Sequence, residues 1–340
     1  MSNSVPGDVL HQTCSVALSA DGTKLIAAAV FHGIFVSTNS GATWIRTSAP
    51  ETNWSSVASS ADGSKLVAVA GANTSYAGPI YTSANSGVSW ISNNVPDQFW
   101  SSVASSADGT ILVAVVGFPT AGLIYISTNS GGNWTVTDAP TNNYWTCVTS
   151  SADGNKLAVA NPPTYIGSTF APGQIYTSTN TGATWISNNV PDLPWEGIAL
   201  SADGSRLVAV AQGQPIYTST NFGTTWMTNN TPNQTWWACA SSADGSKLVS
   251  VANNGGGIYT SYLTPAPQLN LTPASGQLLL SWLVPSTNVV LQENLDLTTA
   301  NWVTLTNIPM LNFTNLQNEV ILSPANRSGF FRLVTQYRVE

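Results

Sequence analysis

Charge is what this chain lacks most. Only 7% of its 340 residues are Asp, Glu, Lys or Arg, against roughly 25% in an average soluble protein. Nine Lys and Arg stand singly along the sequence and the formal net charge is −7. Without a basic stripe there is no site for counterion release, so nucleic-acid binding is disfavoured. His11 and His32 are the two histidines, too few for a zinc site without help from distant carboxylates. Neither a metal nor a cofactor is expected. Cys14, Cys147 and Cys239 are an odd set at unrelated spacings, which argues against a disulfide framework and reads as small buried side chains. Long apolar runs are missing too: none approaches the roughly 20 residues that span a bilayer. The opening Met-Ser-Asn-Ser-Val-Pro has neither the basic start nor the apolar stretch of a signal peptide.

What fills the space is Ser, Thr, Asn and Gly, together with 13 Trp and 43% apolar residues. That content argues against disorder, and a neutral polar surface fits an extracellular or envelope protein. A secreted protein would then have lost its leader ahead of Met1.

Ala-Asp-Gly recurs six times, with its aspartate at Asp21, Asp62, Asp108, Asp153, Asp203 and Asp244, at intervals of 41, 46, 45, 50 and 41 residues. Self-similarity at this period marks a propeller or solenoid. In the unit beginning at Trp54, a Ser/Ala-rich run reaches Ser60 and Ala61-Asp62-Gly63 supplies a hairpin turn whose two central residues would take φ > 0. Lys65–Ala70 is apolar from Leu66 onward, as expected of a strand covered on both faces. Pro79–Ser83 reads as a third strand and Ser89–Asn94 as a fourth. Four antiparallel strands per repeat make a propeller blade.

The turn between third and fourth strands recurs as Ser37–Trp44, Ser83–Trp90, Ser127–Trp134, Ser178–Trp185 and Ser219–Trp226. It resembles the Asp-box (BNR) motif, Ser-x-Asp-x-Gly-x-Thr-Trp, of sialidase-like propellers, where the box is a structural hairpin remote from the active site. Each copy here has Asn (Asn39, Asn85, Asn129, Asn180, Asn221) in place of Asp, which keeps the capping carbonyl and loses the charge. Sialidase activity in that family rests on three arginines, whereas Arg46 and Arg206 are the only two in the repeats.

The sixth repeat stops at Ser261 without a fourth strand, and Met1–Pro6 matches the fourth-strand segments Ile91–Pro96 and Ile186–Pro191. The expected fold is therefore all-β: a six-bladed β-propeller over 1–262 closed by the N-terminal strand, a linker at 263–268, and a small β-sandwich over 269–340. Leu280-Ser-Trp282 with Asn301-Trp302 resembles the fibronectin type III-like domains of secreted bacterial proteins, with Trp282 and Trp302 in its core.

Loop length varies almost entirely between second and third strands, and variable loops on a rigid scaffold are where sites are built. Trp54, Trp100, Trp145, Trp195 and Trp236 each stand eight residues before a hairpin aspartate, with Trp237 as an extra. Two readings are open for this set: wedges between blades, or flat faces for stacking on sugar rings. Tyr76, Phe118, Tyr165 and Phe170 lie in the loops. Glu196 breaks the repeat where Ser55, Ser101 or Thr146 stand, and with Asp192 is the candidate pair for general acid/base chemistry. Binding is favoured over catalysis. The expected protein is a secreted bacterial module recognising a glycan, as a monomer with no transmembrane segment. The alternatives are a glycoside hydrolase or polysaccharide lyase using Glu196, and a scaffold for protein partners.

Overall fold

A computed structural model describes residues 13–335 apart from 72–76, 121, 167–168, 230, 254, 263–268, 275–276, 284–288, 297, 300, 307–308, 313–316 and 323–328. The chain divides into two compact units, Met1–Tyr262 and Leu263–Glu340. Among the described residues every regular element is a strand.

The first unit is a propeller. Blades 1, 2 and 3 are antiparallel sheets of four strands in chain order, and blade 4 has the same order with a small hairpin inserted after its second strand. Blade 5 repeats the pattern over Trp195–Thr228, and blade 6 consists of Gln234–Ser241, Lys247–Ala252 and Ile258–Tyr262. From blade 1 through to blade 6, each Ser/Ala-rich strand touches that of the next blade near the centre. Small side chains are what allow six inner strands to converge there. The second strands Leu66–Ala70, Leu112–Val116 and Leu157–Asn161 are buried at every residue because a blade covers each face. The predicted closing strand at residues 1–6 lies outside the described residues.

The Ala-Asp-Gly turns differ from expectation in one respect. Gly63 has φ +66°, but the aspartate beside it is not left-handed, and the same holds in all six copies. The turn closes with Gly63 N–H donating to Ser60 O at 3.0 Å and Ser60 N–H to Lys65 O at 2.9 Å. Asp62 accepts from the Ser60 hydroxyl at 2.6 Å and from Ser64 N–H at 3.0 Å. Asp is therefore chosen as an acceptor for turn donors rather than for a left-handed backbone.

These turns also staple the blades together. Ala20 N–H donates to Ala61 O at 2.7 Å, Ala61 to Ala107 O at 2.7 Å, Ala107 to Ala152 O at 2.8 Å, Ala152 to Ala202 O at 2.8 Å and Ala202 to Ala243 O at 2.7 Å. In the Ser-x-Asn-x-Gly turns, Asn85 Oδ1 accepts from Ser89 N–H at 2.9 Å while its Nδ2 donates to the Ser89 hydroxyl at 2.9 Å. The neutral amide thus bonds to both partners at once.

In the second unit, one sheet pairs Asn270–Ala274, Gln277–Leu283, Gln317–Leu322 and Met310–Asn312. The other pairs Val303–Thr304, Val289–Asn294 and Phe330–Thr335. Leu280, Trp282 and Val320 from the first sheet and Leu291 from the second form one buried cluster. Trp302 is not in that cluster; the Arg332 guanidinium lies 4.1 Å from its ring centroid, a cation–π contact in place of the expected core position.

Candidate functional site

The five regularly spaced Trp settle into packing. Trp54, Trp100, Trp145, Trp195 and Trp236 are at most 1% exposed. Each meets a tyrosine of its own blade edge-to-face, at centroid separations of 5.0 to 5.5 Å. Trp100 Nε1 donates to Gly78 O at 2.7 Å, Trp145 Nε1 to Gly122 O at 3.1 Å and Trp236 Nε1 to Gln214 O at 2.7 Å, in each case reaching into the preceding blade. Stacking on a ligand needs an open ring face. These indoles offer none, which corrects their assignment as ligand contacts.

The residue after each Trp is different. In blade 2, Trp54 pairs with Ala70 and Ser56 with Val69, so Ser55 has no register partner. The same skip omits Cys14, Ser101, Glu196 and Trp237. In blade 4 the Thr146 N–H bonds to Ala160 O, and Cys147 is also the register partner of Ala160. Each inner strand thus begins with a β-bulge, a device that re-aims a side chain and recurs beside functional sites.

Ser55, Ser101, Thr146, Glu196 and Trp237 line one cavity of about 620 Å³, within the ordinary range of small-ligand sites. The side chain of Cys14, their counterpart in blade 1, lies outside the described residues. Phe118, Tyr144 and Thr164 extend the wall. Phe118 is 61% exposed and packs edge-to-face on Tyr144 at 5.3 Å, while Trp237 is 59% exposed. Thr164 opens the inserted hairpin of blade 4 (Thr164–Ile166 with Thr169–Ala171), whose Tyr165 and Phe170 pair at 5.2 Å and are both exposed. Tyr76 lies outside the described residues.

The hydroxyls at the bulges are already committed as donors. Ser101 Oγ donates to Trp145 O at 2.7 Å and Thr146 Oγ1 to Trp195 O at 3.0 Å, linking blade to blade, and Ser55 Oγ donates to Val69 O at 3.0 Å. A carbonyl can only accept, so what these oxygens have left for the cavity is lone pairs.

Glu196 cannot make that bond when ionised. Its Oε1 accepts instead from Gln212 Nε2 at 2.6 Å. Gln212 occupies the position of Gly71, Gly117 and Pro162 in blades 2, 3 and 4, so two departures from that pattern face each other. The repeat holds that signal at position 212, but the pairing is hard to read from the sequence because Gln212 directly follows the apolar run Leu207–Ala211. Burial pushes the Glu196 carboxyl above the usual carboxylate range, opposed by the Gln212 bond. Burial also pushes the Cys147 thiol up to about 12 and raises Cys239 further, so neither is a thiolate nucleophile near neutrality.

Asp192 is engaged elsewhere. Its Oδ1 accepts from Gly173 N–H at 2.6 Å, holding the foot of the inserted hairpin, and it is not among the residues lining the cavity. The structure does not bring the Glu196–Asp192 pair together in that cavity. Among the described residues no cluster of His, Cys, Asp and Glu suited to a metal is present.

No protein-family model matches the sequence, and no curated protein matches it. Solved structures do. A GH74 enzyme from Niastella koreensis is 16% identical, with a TM-score of 0.59, over 88% of this chain and 52% of that one. A GH74 xyloglucanase from Xanthomonas campestris is 18% identical, with a TM-score of 0.59, over 81% of this chain and 51% of that one. YCF48 bound to a D1 peptide is 13% identical, with a TM-score of 0.55, over 81% and 89%. The chain thus spans about half the length of the two GH74 structures, and likeness at this identity establishes the propeller fold alone.

Proposed function

We propose that the propeller is a noncatalytic glycan-binding module of a secreted or envelope bacterial protein, acting as a monomer through the cavity at its loop-bearing face. The observation that carries this reading is the lining itself: hydroxyl lone pairs around the mouth with exposed Trp237 and Phe118 rings beside them. Sugars present exactly the complementary pair of features, hydroxyl donors on the ring edge and C–H faces that stack on aromatics. The GH74 likeness is compatible with a carbohydrate ligand, and the peptide held by YCF48 is the reason to keep protein partners among the outcomes.

Hydrolysis has one observation in its favour, the raised carboxyl of Glu196. Both standard glycosidase geometries need a second carboxylate within about 10 Å, and among the described residues Glu196 is the only carboxylate lining the cavity. Binding therefore takes precedence over catalysis. A glycan array followed by calorimetry tests the reading, with reducing-end release measured on every hit. The expected result is saturable binding that falls about tenfold in Trp237→Ala, a loss of roughly 1.4 kcal/mol, with no product. Absence of binding across the array, or binding indifferent to Trp237, would overturn it; product release that disappears in Glu196→Gln would make the protein an enzyme.

A further inference from the structure

Resting on the glycan-binding reading, we infer that the cavity selects sugars carrying a free amino group, with the ammonium seated between Glu196 and Trp237. Four observations converge on this class. First, among the described residues Glu196 is the only charged one lining the cavity. It is half-buried, and its bond from Gln212 occupies one lone pair of one oxygen. A partly desolvated carboxylate with open acceptor positions is stabilised most by a cationic donor.

Second, Trp237 stands at the same bulge position as Glu196 on the neighbouring inner strand, and the two strands touch. Both side chains line the same cavity. An exposed indole facing the same cavity as a carboxylate suits ammonium recognition, since the ring face attracts the cation that the carboxylate neutralises.

Third, the bulge hydroxyls of Ser55, Ser101 and Thr146 have given their protons to carbonyls and present acceptors. The wall asks for donors, and an amino sugar offers more of them than its acetylated form.

Fourth, no cation of the propeller competes for the carboxylate. Lys24, Lys65, Lys156, Arg206 and Lys247 each stand three residues after a hairpin aspartate, on the turns that Asp21, Asp62, Asp153, Asp203 and Asp244 close. The sixth cation, Arg46, is paired with Glu51.

The test is calorimetry of the full chain at near-neutral pH against three probes: a fully deacetylated glucosamine hexamer, the N-acetylglucosamine hexamer and cellohexaose. The inference predicts at least about tenfold tighter binding of the deacetylated hexamer, weakening as salt is raised. Glu196→Gln is predicted to bring its affinity down by about the same factor, with an unchanged melting temperature showing that the fold is intact. Equal binding of the three probes, or a preference for the amine that survives Glu196→Gln, would overturn the inference while leaving the glycan reading standing. Failure of all three to bind would overturn the inference, and absence of binding across the glycan array as well would overturn both.

Discussion

The aspartates of the six hairpins are the most repeated charged residues in the molecule, and their chemistry is turn closure. The hydroxyl of the serine two residues earlier is the largest influence on each, followed by the backbone N–H two residues later. Together they hold Asp21, Asp108 and Asp203 at about 2 and lower Asp62, Asp153 and Asp244 as well. Because the folded value lies below the unfolded one of roughly 3.9, each contributes stability that is fully present above pH ~4 and is lost as pH falls toward ~2. Six parallel copies predict a steep acid transition in that window. Measured by circular dichroism, Asp108→Asn is expected to make the transition shallower; a transition of unchanged steepness would count against this role. The same residues show what the sequence made legible. Their recurrence set the period, but the expectation of two left-handed residues failed because a side-chain acceptor, not a backbone handedness, was being conserved from blade to blade. That distinction needs atoms.

At the scale of the element, the inner strand is where legibility ran out. Its leading Trp stood out by size and regularity, and both packing and binding were open readings. Packing prevailed because each blade supplies a tyrosine to close the ring face. The bulge one residue later lines the cavity, and a bulge leaves no mark in composition or alternation. Only the exceptions at that position, Glu196 and Trp237, hinted at it. Removing a wedge should therefore hurt stability rather than binding specificity. Trp100→Ala removes a fully buried indole together with its bond to Gly78 O and is expected to cost about 3–5 kcal/mol in urea unfolding. A loss below ~1 kcal/mol would mean that the indole is not a wedge.

The propeller, taken by itself, has two unlike faces. One bears the hairpins, their aspartates and nearly every propeller cation, tied off in a run of inter-blade backbone bonds. The other bears the variable loops, the exposed aromatics and the cavity. Between neighbouring blades, the inner-strand valine packs on the previous blade: Val57 shares a cluster with Ile26, Ala28 and Ile34. The corresponding set at the seam between the sixth and first blades is Val16 with Val249, Val251 and Ile258. Here Val16 is 63% and Ile258 73% exposed. If residues 1–6 complete the last blade, as the sequence repeat predicts, their deletion should lower the melting temperature by about 5 °C or more. An unchanged melting temperature would show that closure does not depend on them.

On the proposed reading, ligand recognition belongs to the bulge ring around the loop-face cavity and not to the regular tryptophans. The most direct measurement follows the indole N–H resonances of ¹⁵N-tryptophan-labelled protein during titration with the glucosamine hexamer and with cellohexaose. The account predicts that the Trp237 signal, identified by its loss in Trp237→Phe, moves progressively to saturation, while the signals of Trp54, Trp100, Trp145, Trp195 and Trp236 move far less. A titration in which Trp237 stays still while those buried indoles shift, or in which no indole responds to either sugar, would contradict it.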